Sequence, residues 1–177
     1  MTPNFKLDPQ PIGLFMDTDA KKTTLRIIPY ALYVLTSNGD DVGTGTINWV
    51  SQMSFEPPLL ALGVKKDTRN FANIKAGGAM AMSFLGSGQG DLAFAFFGDA
   101  DVDGDAFVSK ENRYAFERAP SGAPVLLDAP AWVDLQLVET VETGDHAVVV
   151  VEVTDVGLRG DGPEALTLKE LGLNYGG

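Results

Sequence analysis

The chain has 177 residues, 45% of them hydrophobic, which is enough to bury one compact core but short for two independent domains. It contains no cysteine and one histidine, His146, which excludes disulfides, thiolate metal sites, iron-sulfur clusters and any multi-histidine zinc or iron site within one chain. Its net charge of −11 argues against nucleic acid or an anionic membrane as a partner, since both would repel it at long range.

The charge is uneven. Residues 21–75 carry seven basic and four acidic side chains, so this stretch is positive by three while the remainder carries −14. An anionic ligand therefore belongs on the first half. A redox function, if present, has to borrow an organic cofactor. The opening residues, MTPNFKLDPQPIGLF, have neither a basic leader nor a following apolar run, and no stretch reaches roughly 18 apolar residues. A soluble, unexported, cytoplasmic protein is expected.

In chain order, residues 25–36, LRIIPYALYVLT, are dense in β-branched and aromatic side chains and read as a strand, with a short helical turn allowed around Pro29. The turn formers SNGDDVGTG follow. TINWVSQMSF reads as a second strand closed by Pro57 and Pro58, and LLALGV (59–64) as a short buried strand. Asp67 or Thr68 can cap a short helix through RNFANIKA, with Phe71 and Ile74 on one face and Gly77 and Gly78 ending it. AMAMSFL (79–85) predicts a strand, and GQGDLAFAFF (88–97) a buried helix leading into the acidic loop DADVDGD. WVDLQLV (132–138) and HAVVVVEV (146–153) predict the two arms of a hairpin about the turn ETGD. Many strands and few helices point to a mainly β protein, a closed barrel with short peripheral helices.

Three segments carry chemistry. The stretch GTGTINWVSQMSFEPP (43–58) is rich in side-chain amides and hydroxyls, namely Asn48, Ser51, Gln52 and Ser54, around Trp49. Such a strand is costly unless those groups face water or a polar partner. An isoalloxazine ring, with an apolar face and an edge of carbonyls and ring nitrogens, would suit it; an edge strand facing water would satisfy it equally. KKDTR sets Lys65, Lys66 and Arg69 about a helix start, where free N–H groups favour an anion. The alternative is that Asp67 caps its own helix and the cations are solvated. GDH (144–146) places the lone histidine at a hairpin mouth, where a surface role is the simpler reading. DADVDGD (99–105) imitates the start of a calcium-binding loop, but position 12 is Lys110 where glutamate is needed, so a solvated acidic loop is favoured and no metal site is expected.

The ordered run IPYALYVLTS, GTGTINWVSQMSFEPPLLALGVKKDTRNFANIKAGGAMAMSFL, GAPVLLDAPAWVD, GDHAVVVVEV and LNYGG resembles the flavin reductase-like, FMN-binding family. Ser83 stands in AMSFL where that family often has asparagine, and no G-x-G-x-x-G marks a resident dinucleotide. The resemblance implies a split β-barrel over residues 25–177 behind an N-terminal extension, 1–24, and a homodimer with FMN near the subunit interface. It implies that Thr46, Asn48, Trp49, Val50, Ser51, Gln52 and Ser54 contact the flavin and ribityl chain, that Lys66, Thr68 and Arg69 meet the phosphate, and that His146 lies near the flavin as a catalytic positioning residue. Hydride transfer needs mainly the close placement of two rings, so the lack of a Ser-His-Asp set is no objection. The implied activity takes hydride from NADH or NADPH and passes electrons to free flavin, a ferric complex or a protein acceptor. The rivals are an FMN-binding electron carrier reduced by a partner protein, without a pyridine nucleotide site, and a split-barrel module that binds something else.

Overall fold

The computed structural model describes residues 16–176; residues 1–15 of the expected N-terminal extension, and Gly177, lie outside the described residues. Two compact units are present, a main one over Pro29–Leu173 and a small one whose described residues are 16–28 and 174–176. In the small unit Asp17 caps helix α1 (Thr18–Leu25), accepting from the backbone N–H groups of Asp19 and Ala20. This cap is why residues before Leu25 turn helical. The expected strand over 25–36 shortens accordingly to its end.

The main unit begins with β1 (Tyr33–Ser37), β2 (Gly43–Ile47), β3 (Val50–Phe55) and β4 (Pro58–Lys65), followed by α2 (Arg69–Lys75), β5 (Met80–Phe84) and α3 (Gly90–Ala95). Then come β6 (Asp101–Asp103), β7 (Ala106–Ser109), β8 (Asn112–Arg118), β9 (Pro124–Leu126), β10 (Ala131–Val141) and β11 (His146–Leu158). Seven strands form one antiparallel sheet in the order β2-β1-β5-β10-β11-β4-β3, and β6 to β9 form a second, smaller sheet. The protein is mainly β.

The sheet order dictates its curvature. Laid flat, seven strands at about 4.8 Å spacing would hold the terminal strands β2 and β3 about 29 Å apart. Only Asn48 and Trp49 separate those strands in the chain, and such a link spans about 10 Å. The sheet therefore rolls until its two edges meet without pairing, which is a split β-barrel. The expected single strand through TINWVSQMSF is cut in two because Asn48 and Trp49 turn this corner. Leu35, Leu62, Ile74, Met82, Val149 and Val151 fill the barrel interior with no exposure.

A second core, around Phe96 and Phe107, lies with α3 and the small sheet. The sequence signal for strands over 106–118 is weak, since AFVS and RYAF are short and set among charges, and β7 and β8 went unpredicted for that reason. DADVDGD carries strand β6 and the turn of the β6–β7 hairpin, with Gly104 at positive φ in that turn. The buried helix expected over 88–97 has six residues; Leu92, Ala93 and the following Phe96 are buried, whereas Phe94 and Phe97 are exposed.

Helix α2 is fixed to the barrel by polar contacts that its apolar pattern did not reveal. Asn70 donates to the carbonyl of Leu35 and accepts from the Ser37 hydroxyl, and Asn73 donates to the Ser37 carbonyl and hydroxyl and to the Asp41 carbonyl. Both amides are buried with Phe71 and Ile74, so the helix buries one broad face that is part polar and part apolar. Asn73→Ala should strand these groups and lower stability by about 2 kcal/mol, read as a lower midpoint in a denaturant titration with an unchanged slope.

Candidate functional site

The barrel corner brings the three chemical segments of the sequence together. In the β4–β11 register Lys65 faces His146, and the Lys66 N–H donates to the Asp145 carbonyl, so the KKDTR segment and the GDH turn are neighbours. Trp49 reaches the same place: its ring centroid lies 4.7 Å from that of His146. His146 Nδ1 lies 3.0 Å from Asp145 Oδ1, a contact that holds the Asp145 carboxyl below its ordinary value, and the imidazole is only 13% exposed. The lone histidine is thus packed at the corner rather than displayed on the hairpin surface.

Trp49 is seated by a glycine. Its carbonyl accepts from the Gly63 N–H at 2.7 Å, and a Cβ on Gly63 would stand 2.8 Å from both Trp49 Cβ and Cε3. The indole lies across the bare backbone of β4, and only glycine leaves it room.

The polar residues divide by environment. Asn48 is buried, and no acceptor within the described residues meets its Nδ2. Thr46 is engaged with α3, its hydroxyl donating to the Ala93 carbonyl and its N–H to that of Phe96. Val50 packs against the barrel core. Ser51 and Gln52 are exposed on β3, Ser54 is half-buried after a bulge at Met53, and Gln52 Nε2 donates to the Ser54 carbonyl. Strand β3 pairs only with β4, so its outer edge is open.

The basic segment is already engaged within the chain. Lys65 pairs with Asp67 at 2.9 Å, which holds the Asp67 carboxyl below its ordinary value and turns it onto its own neighbour. Lys66 Nζ donates to the Glu142 carbonyl. Thr68, not Asp67, is the cap of α2: its hydroxyl accepts from the Phe71 N–H and donates to the Lys65 carbonyl. Arg69 Nη1 donates to the Val42 carbonyl, and Nε lies 3.7 Å from Asp99 Oδ2. Thr68→Ala should therefore cost about 1 kcal/mol of stability through the lost cap, visible in thermal unfolding without any ligand. Ser83, at the position singled out in AMSFL, is fully buried and accepts from the Leu126 N–H, joining the two sheets.

Among the described residues no group of three or more His, Asp or Glu side chains is placed to hold a metal ion, and no helix is long and apolar enough to cross a membrane. A flavin fits what the corner offers. The buried Asn48 amide lacks an acceptor among the described residues and a flavin edge supplies carbonyls and ring nitrogens; Ser51 and Gln52 add exposed polar groups, and Trp49 adds an aromatic wall.

Fold and corner define a small split-barrel protein with an open, amide-lined edge. A model of the flavin reductase like domain matches residues 25–175, and the chain belongs to the flavin reductase-like family. It is 30% identical over 141 residues to the stachydrine N-demethylase reductase subunit of Rhizobium meliloti, covering 78% of this chain and 58% of that protein. It is 28% identical over 148 residues to an NADH:FMN oxidoreductase of Rhodococcus erythropolis, covering 81% of this chain and 72% of that one. The flavin reductase component of a bacterial two-component tryptophan halogenase has the same fold, with a TM-score of 0.71 at 21% identity over 90% of this chain and 98% of that one. Among the first curated relatives the span is often partial, from 58% down to 24% of their length.

Proposed function

We propose that this chain is an NAD(P)H-dependent flavin reductase whose flavin is FMN, held at the barrel corner and passing electrons to free flavin, a ferric complex or a protein acceptor. The observation that carries the reading is the buried Asn48 amide, whose Nδ2 meets no acceptor among the described residues, set beside the Trp49–His146 pair and the open β3 edge. The Rhodococcus relative is named for the reaction of NADH with FMN, which supports both donor and cofactor. Asn48, Ser51, Gln52 and Ser54, with the backbone of Thr46 and Val50, would hold the ring and ribityl chain; Lys66, Thr68 and Arg69 would meet the phosphate. When bound, the flavin supplies a two-electron acceptor that can return its electrons singly or in a pair. The protein supplies placement: Trp49 walls the site and keeps water from one side, and His146, held by Asp145, orients the nicotinamide.

The test is an absorption spectrum of the purified protein supplemented with FMN, recorded before and after NADH or NADPH is added without oxygen. Bleaching of the flavin bands is expected. Retained colour without bleaching would make the chain an electron carrier reduced by a partner protein, and no bound flavin would end the assignment.

The same reading makes the protein a homodimer. Met53 and Phe55 are 58% and 91% exposed on the unpaired strand β3, a costly arrangement for a strand edge left in water. Light scattering at micromolar concentration should give twice the 18.8 kDa chain mass, and Phe55→Lys should shift it toward the monomer.

A further inference from the structure

Resting on the flavin-phosphate reading of Arg69, we infer that Asp99 is a built-in anion at the phosphate subsite, limiting how strongly the chain holds a phosphorylated flavin and so favouring a flavin that exchanges. The carboxylate is not a loose surface charge. Asp99 Oδ1 accepts from the Thr44 N–H at 3.3 Å, and the Thr44 hydroxyl accepts from the Ala100 N–H at 2.8 Å, so two reciprocal bonds fasten the start of the acidic segment to β2. Thr44 and Ala100 are both buried, which fixes these bonds in place. The other oxygen, Oδ2, is thereby set 3.7 Å from Arg69 Nε, while the Val42 carbonyl takes Nη1 from the side. Both charged side chains keep about a third of their exposure, 36% for Arg69 and 35% for Asp99.

An incoming phosphate must share this guanidinium with a carboxylate that the backbone holds ready. Two anions on one cation repel each other, and the ligand loses part of what Arg69 would give it. Asp99 differs here from the acidic residues that follow it. Asp103, for example, pairs from β6 with Arg113 of β8 and faces solvent. The residue that opens the calcium-like motif therefore has a different employment, as a counter-charge that keeps FMN and riboflavin closer in affinity than a free arginine would.

The test titrates the full chain, freed of flavin, with FMN and with riboflavin, following flavin fluorescence, for wild type, Asp99→Asn, Arg69→Ala and the double variant. Asp99→Asn retains the carbonyl oxygen for Thr44 and removes only the charge. It should tighten FMN by about three- to tenfold and leave riboflavin unchanged, and the gain should vanish in the Arg69→Ala background. FMN affinity unmoved by Asp99→Asn, while Arg69→Ala selectively weakens FMN, would overturn the role of Asp99 and leave the phosphate assignment standing. No selective loss in Arg69→Ala would overturn both. An equal loss for the two flavins in Asp99→Asn would also defeat the inference, by making Asp99 a fastener of β2 alone, and Asp99→Ser, which shortens the same contact, would then show that loss too.

Discussion

Asn48→Leu is expected to make the flavin-free protein more stable and its flavin binding weaker. Asn48 is 8% exposed and its Nδ2 meets no acceptor among the described residues. A buried donor without a partner costs about 1–3 kcal/mol, and leucine, close to asparagine in size, removes the donor without opening a cavity. The free energy of unfolding without flavin should rise by about that amount, read as a higher midpoint. If the amide exists to meet a flavin acceptor, the same change should cost about 1 kcal/mol of flavin affinity, the net worth of a neutral hydrogen bond. Opposed signs on stability and binding are the mark of a residue kept for function. A stability gain with unchanged flavin affinity would show that the orphan amide has another purpose. Loss of both would show that Asn48 supports the corner structurally. Thermal melts without flavin and a fluorescence titration with it separate the three.

What could be read from the sequence follows the distance over which each feature is determined. The α2 cap was legible because a hydroxyl meets a backbone N–H three residues on, and Thr68 to Phe71 is that contact. The β10–β11 hairpin was legible because alternation and a turn signal are local. The split in 44–55 was not, since Asn48 and Trp49 look like strand residues and turn only because the sheet they join must roll through seven strands. The corner residues were named through resemblance; their assembly needed the β4–β11 register, which sets Lys65 beside His146. In the sequence Asp99 is one acidic residue of an acidic loop, since nothing there shows that Thr44, 55 positions earlier, holds its carboxylate toward Arg69. Gly63 had no signal at all in LLALGV, where a glycine between apolar residues looks like simple weakness in a strand.

Gly63→Ala is expected to damage the flavin site while leaving the protein folded. The backbone at Gly63 is ordinary strand and needs no special φ, so the substitution is resisted only by what the new methyl group meets. That is Trp49, at 2.8 Å from both Cβ and Cε3, atoms too close to the main chain to swing aside as a side-chain tip would. Either β3 lifts away from β4, breaking the bond from the Gly63 N–H to the Trp49 carbonyl, or the indole rotates off the strand and leaves His146. Overpacking of this kind costs about 1–3 kcal/mol. The barrel interior, built on Leu62 and Val64 at 0% and 2% exposure, points the other way and should persist. The circular dichroism spectrum should therefore remain that of the folded protein while flavin affinity falls about tenfold to a hundredfold, the same 1–3 kcal/mol expressed in binding. Ala61 lies two residues earlier on β4 and pairs with Ser51, and Ala61→Gly should leave flavin affinity within about twofold. Equal flavin affinity in wild type and Gly63→Ala would show that the Trp49–His146 corner is not where the flavin sits.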